Sequence, residues 1–275
     1  IGLFALLVLS LPGCGGFRDT KPQLPGNLDT LCMPDYASGF EMYRYDSSTL
    51  LRIVNPWQGA DSVSQWVFLS RDDEKPPKGF AGETIDVPVR RIVCMSSSYV
   101  AFLEALGADS TICAISGTGY IWSDKVRNRI AGGEIAEAGF DNSLNFEKLV
   151  ALKPDVVFLY GLTGKNAVTD KLHELGLKTV YIGDYVENNP LGRAEWITVF
   201  GEFTGRRELA RTLFDSISNE YNRAKALVSG VEKRPEVMLN APWQDSWFVP
   251  GDRSYMVRLL EDAGGNYACR GVDSD

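Results

Sequence analysis

From Val89 onward, short apolar runs alternate with stretches whose apolar residues fall at helical spacing. Residues 91–95, 111–116, 156–160 and 179–182 read as inner strands, apolar and rich in β-branched side chains. Residues 99–106 and 168–175 read as helices, closed by Gly107 and Gly176. Residues 141–160 combine both patterns. Asn145 caps a helix over 146–152 with apolar positions at Phe146, Leu149, Val150 and Leu152. Lys153-Pro154-Asp155 stops it, because a residue before proline is pushed out of the α region. A strand follows at once. Strands alternating with helices predict an α/β layer with a mostly parallel sheet.

Farther on, Asn189 caps a helix with Pro190 at its first position and Gly205 after its end. Trp196, Val199, Phe200 and Phe203 form its apolar face. A longer helix spans about 206–228, with one stripe through Ala210, Leu213, Phe214, Ile217, Tyr221, Ala224 and Val228. At 1.5 Å per residue it is roughly 35 Å long, enough to leave one domain and reach another. Strands at 236–240 and 247–249 and a helix at 254–263 are predicted after it.

Before Val89 the pattern differs. Residues 40–45, 50–54 and 66–69 are β-like runs separated by turn clusters, and predict a small antiparallel extension. Residues 1–13, IGLFALLVLSLPG, are too short for a normal bilayer span and fit the apolar core of a secretory signal. Leu11-Pro12-Gly13-Cys14 matches a lipoprotein signal, in which Cys14 would carry the lipid; a chance Gly-Cys after an apolar run is the weaker alternative. The expected division is signal and lipobox at 1–14, tether at 15–27, β-rich extension at 28–88 and an α/β lobe at 89–205. An inter-lobe helix at 206–230 and an incomplete second lobe at 231–275 follow. The sequence is expected to begin and end inside a longer chain.

Composition narrows the function. A net charge of -8 and a pI near 4.9 argue against nucleic acid as a partner. A single histidine, His173, excludes His-rich metal sites, and the five cysteines contain no CxxC pair. Cys94 and Cys113 fall within predicted strands, as buried free thiols. No HExxH, P-loop or nucleophile elbow is present, and Gly117-Thr118-Gly119 lacks the third glycine of a dinucleotide fingerprint. No enzyme activity, cofactor or metal site is expected. Two local readings stay open. Ser96-Ser97-Ser98 either caps a helix or holds an anion, and Glu147 either complements a helix dipole or meets a partner.

Three stretches carry a resemblance: Arg91-Ile92-Val93-Cys94-Met95-Ser96, Glu104-Ala105-Leu106-Gly107, and the run from Asn145 to Asp155. Asn189-Pro190-Leu191-Gly192-Arg193-Ala194-Glu195-Trp196 adds to it. Together they resemble the periplasmic substrate-binding proteins of ABC importers for iron–siderophore complexes, haem and cobalamin. The resemblance covers 89 to about 265 and leaves the extension outside. Val100-Ala101 departs from it, standing where many members have Thr-Glu. The resemblance implies two Rossmann-like lobes joined by one long helix, with ligand in the cleft between them. It implies a monomeric, lipid-anchored protein of the bacterial envelope, attached to membrane only through its lipid, that serves a permease dimer. It makes Glu147 the first-lobe glutamate that docks on the permease. The implied ligand is a ferric siderophore or similar chelate, with cobalamin or haem as runner-up. A non-transport envelope protein on the same fold is the other class.

In such sheets ligands sit beyond the carboxyl ends of the strands. That rule selects Ser97, Ser98, Tyr99, Tyr120, Trp122 and Tyr160, with the stretch from Tyr160 to Thr163 and Asp184-Tyr185, from the first lobe. From the second lobe it selects Trp243, Asp245, Trp247 and Arg253. Aromatic rings suit a large flat or chelated ligand, and Arg253 suits an anionic one.

Overall fold

The structure is a computed structural model and describes residues 28–140, 143–161 and 167–271. The expected signal, Cys14 and the expected tether lie outside the described residues, as do Leu162 and Thr163. The extension contains β1 (Asp29–Cys32), β2 (Phe40–Tyr45), β3 (Ser48–Val54), β4 (Ser64–Ser70) and β5 (Glu83–Asp86), paired in sequence order. The first four are antiparallel, but β5 runs parallel to β4, so the expectation of a purely antiparallel extension is corrected. The long 71–82 connection carries the chain back to start β5 in the direction of β4, which a tight hairpin cannot do.

The second sheet contains β6 (Ile92–Cys94), β7 (Ile112–Ile115), β8 (Ala136–Glu137), β9 (Val156–Leu159) and β10 (Thr179–Tyr181), all parallel, in the order β10-β9-β6-β7-β8. Its helices are α1 (Ser97–Ala105), α2 (Asp124–Ala131), α3 (Phe146–Leu152) and α4 (Ala167–Glu174). Alternate residues of each inner strand enter opposite cores. Ile92, Cys94, Val156 and Phe158 join one core. Val93, Met95, Val157 and Leu159 join the other, which α3 and α4 cover through Leu149 and Leu172. Cys94 and Cys113 are buried free thiols, as expected.

Next come α5 (Pro190–Glu195), α6 (Ile197–Thr204) and α7 (Arg207–Leu227). The single helix expected over 190–204 divides at Trp196, whose ring is fully buried. Trp196 packs edge-on against Phe40 of β2 at 5.0 Å, and its Nε1 donates to Glu187. All eight residues of α6 are buried. A helix apolar on every side must be covered all round. Here the first core runs without interruption from Phe40, Leu51 and Val67 of the extension through Phe200 and Phe203 to Phe158 of the parallel sheet. The extension is therefore packed into the lobe.

Polar contacts tie the two together. Gln65 of β4 donates to Thr179 O and accepts from Tyr181 N, filling hydrogen bonds on the open edge of β10. Buried Glu195 accepts from the backbone N–H groups of Asp35, Tyr36 and Ala37, and buried Glu187 from those of Ser38 and Gly39. Glu202, the one carboxylate of α6, is held by Thr49, Arg71 and Arg207.

The second lobe is represented by β11 (Glu236–Val237), α8 (Tyr255–Asp262) and β12 (Asn266–Tyr267), with β11 and β12 parallel. The strand expected at 247–249 does not form. Those residues have no ladder partner, and only an isolated bridge joins Trp243 to Ser246. The strand expected over 236–240 is limited to the two residues that β12 can pair.

Candidate functional site

The carboxyl ends of β6 and β7 open on a depression of about 780 Å³. Its lining includes Ser97, Ser98, Glu104, Tyr120, Trp122 and Lys125. That volume is in the range of small-molecule sites. Tyr120 is 70% exposed and Trp122 89% exposed.

Each lining group is set by local chemistry. Ser96 caps α1, its hydroxyl accepting from Ser98 N at 3.3 Å and lying 3.0 Å from Ser98 Oγ. The serine run thus caps the helix, and Ser97 and Ser98 remain on the depression. The Tyr120–Trp122 segment is clamped from β8. Glu137 accepts from Gly117 N, Thr118 N and Thr118 Oγ1 at 2.9, 2.8 and 2.6 Å, and from Gly139 N at 3.0 Å. Burial pushes the Glu137 carboxyl up, but these hydrogen bonds outweigh it and hold it below the usual carboxylate range. Ser123 caps α2 and donates to Glu104 at 2.5 Å, closing the floor.

Tyr99 does not belong to the site. Its side chain is fully buried, its ring packs on Phe158 and Phe200, and its hydroxyl donates to Leu159 O and Ile182 O at 3.2 Å. The rule that selected it counts position after a strand, whereas the helical turn at Ser97 rotates residue 99 into the core. Tyr160 is half-buried at the end of β9, edge-on to Tyr185 at 6.5 Å. It lies outside the lining of the depression.

Beside Tyr185, Asp184 begins the turn after β10 and is 7% exposed. Burial pushes its carboxyl up, against a hydrogen bond from Ser98 and the charge of Arg193, which pull it down. Arg193 of α5 donates to Tyr185 O and, at 3.3 Å, to Glu187 O. Its guanidinium lies 3.5 Å from the centre of the Tyr255 ring, the first residue of α8. Arg193 thus joins the turn after β10 to α8 of the second lobe. The role of Arg193 was not legible in the sequence, because its partners are set by the packing of α5 on α8.

The second-lobe candidates are exposed. Trp243, Asp245 and Trp247 occupy the loop after β11, turned tightly where Trp243 and Ser246 exchange backbone hydrogen bonds. Arg253 is exposed just before α8. None of the four lines the first-lobe depression. Glu147 is exposed in the first turn of α3, beyond the N-cap bond from Lys148 N to Asn145 Oδ1 at 2.9 Å. His173 is bonded to Thr179 Oγ1 at the amino end of β10, away from the carboxyl ends of the strands. Among the described residues no group of three or more His, Cys, Asp or Glu could hold a metal ion, and no helix is long and apolar enough to cross a membrane.

The chain is similar to an uncharacterized lipoprotein of Methanocaldococcus jannaschii, 28% identical over 247 residues. The match takes in 82% of this chain, more than residues 89–275 can supply, so it enters the extension. It takes in 58% of that relative, so the chain spans under two thirds of the relative's length. Among solved structures, the fold is similar to the periplasmic haem-binding protein HutB of Vibrio cholerae. That likeness has a TM-score of 0.54 and 19% identity over 67% of this chain and 68% of that one. It is also similar to the siderophore-binding protein BauB, with a TM-score of 0.52 and 19% identity over 68% and 64%. These likenesses, low in identity, support the α/β fold of two lobes and a connecting helix. The sequence from 92 to 270 matches the periplasmic binding protein family, and the chain belongs to that family.

Proposed function

We propose that this chain is the solute-binding component of an ABC importer, held at the outer face of a membrane by a lipid on Cys14. It captures a ferric siderophore or a similar metal chelate and presents it to a permease dimer. The observation that carries the reading is the depression beyond β6 and β7, where Tyr120 and Trp122 stand exposed over Ser97 and Ser98. Rings held in water by a clamped loop are suited to cover a broad ligand, because the contact removes their large apolar faces from water. Membership of a family of binding proteins supports it. So do fold relatives named for binding haem and an acinetobactin–iron complex, and a relative named as a lipoprotein supports the anchor.

The test is isothermal titration of the full-length protein with a ferric tris-catecholate, a ferric hydroxamate, haemin and cyanocobalamin, beside the absorbance spectrum of protein purified from its host. A ferric charge-transfer band and tight binding of one ferric chelate are expected. Trp122→Ala should then weaken that binding by about 1–3 kcal/mol with little change in melting temperature. A Soret or corrinoid spectrum redirects the reading to haem or cobalamin. Binding of none of the four leaves a non-transport envelope protein.

A further inference from the structure

The charges around the depression decide which chelates suit it. No residue of the extension lines it; Trp57 instead bridges Gly161 after β9, with its ring edge-on to Tyr181. The lining comes from α1, residues 120–123 and the start of α2, and its charged members are Glu104, Asp124 and Lys125. No arginine is among them. Two of the three charges are already matched. The Lys125 Nζ lies 2.7 Å from Asp109, whose side chain is 4% exposed. Asp124, 85% exposed, pairs with Arg127 one turn farther along α2.

Glu104 differs from both. It is half-buried, and its hydrogen-bond donor is neutral, the Ser123 hydroxyl on Oε1 at 2.5 Å. Among the described residues it has no ion pair. The lining therefore keeps one uncompensated negative charge, in a position where water screens it less than on an open surface. Tyr120 and Trp122 act in the same sense, because the face of an aromatic ring is negative and attracts a cation placed over it. So does the chain as a whole, whose net charge of -8 draws cations toward it and repels anions.

We infer that the depression selects a chelate carrying positive charge, and that Glu104 receives its cationic group. This rests on the importer reading above and narrows it. A ligand ammonium offers three donors, and the Glu104 oxygen not bonded to Ser123 accepts one of them. A trianionic tris-catecholate would meet the same carboxylate with like charge and find no lining arginine to offset it. The hydroxyls of Ser97 and Ser98 both donate and accept, so they do not discriminate by sign. Selection by charge falls to Glu104 and the two rings.

The experiment is isothermal titration of the full-length protein with two ferric trihydroxamates. Ferrioxamine B bears a pendant ammonium, and ferrioxamine E is its ring-closed counterpart without one. A ferric tris-catecholate, haemin and cyanocobalamin are titrated beside them. The parent should bind ferrioxamine B about tenfold tighter than ferrioxamine E, and added salt should shrink that ratio. Glu104→Gln keeps an oxygen for Ser123 and should bring the two affinities within about twofold of each other. The ratio holds even in a partly unfolded variant, since both ligands meet the same folded fraction. If Glu104→Gln does not fold at all, the salt dependence of the parent's ratio decides. Glu174→Gln, an exposed carboxylate on α4, is the control and should keep the parent's ratio. Equal affinity of the parent for the two trihydroxamates, an unchanged ratio in Glu104→Gln, or tightest binding of the tris-catecholate overturns the inference and leaves the importer reading intact. Tightest binding of haemin or cyanocobalamin overturns it too and redirects the ligand. A parent that binds no chelate overturns the importer reading and this inference with it.

Discussion

Arg193 of α5 lies over the ring of Tyr255 at the start of α8, 3.5 Å from its centre. This joins the two lobes away from the helix that connects them. Burial lowers the pKa of Arg193, against Tyr255, Asp184 and Glu187, which raise it, and a guanidinium is not deprotonated in proteins. Such a contact is worth about 0.5–2 kcal/mol. Tyr255→Leu keeps the apolar bulk and loses the ring face, and should destabilise by that amount in urea unfolding. Arg193→Ala should cost more, because Tyr185 O and Glu187 O also lose their donor. Additive losses in the double variant would show that the two side chains are not coupled.

Glu202 is the buried charge that fastens α6 between the extension and the helix after it. Its side chain is 1% exposed and meets Arg71, Arg207 and Thr49. Glu202→Leu leaves Arg71 and Arg207, 24% and 32% exposed, without their acceptor, and should cost about 1–3 kcal/mol. The check is the urea midpoint, with a slope close to the parent's. A loss below 1 kcal/mol would mean that the arginines find water at little expense.

Glu137 predicts an acid dependence with a definite sign. Its carboxyl is held below the usual range in the folded protein. It therefore contributes stability that is present above the pKa of the unfolded chain and is lost as pH falls through the folded value. The difference in unfolding free energy between the parent and Glu137→Gln should be largest near pH 6 and shrink toward pH 3. The tryptophan emission of Trp122, on the loop that Glu137 clamps, should broaden in the variant. A difference independent of pH would assign the effect to lost packing.

Glu147 separates docking from folding. It is exposed at the start of α3, so Glu147→Ala should cost about 0.5 kcal/mol in stability and leave chelate binding unchanged. If it docks on a basic permease rim, Glu147→Arg should abolish uptake in cells carrying the matching permease, because like charges then face each other. Normal uptake with Glu147→Arg returns this residue to the helix-dipole role.

The sequence by itself determined the parts whose causes are local. Apolar runs between helical stretches marked the inner strands of the parallel sheet, since a strand covered on both faces needs apolar residues throughout. The helix over 146–152 was legible to the residue, because the Asn145 cap and the Lys153-Pro154 stop act within four positions. The Ser97, Ser98, Tyr120 and Trp122 face followed from a rule about strand ends, and needed no knowledge of packing. Tertiary structure decided the rest. Tyr99 left the site because its ring fits between Phe158 and Phe200, which lie far along the chain. The role of Glu195 depends on backbone N–H groups up to 160 positions away. The parallel pairing of β5, and the passage of Trp57 over Gly161, depend likewise on where distant segments come to rest. Periodicity and capping report what a residue does to its neighbours, whereas a buried carboxylate's partners are chosen only when the core closes around it.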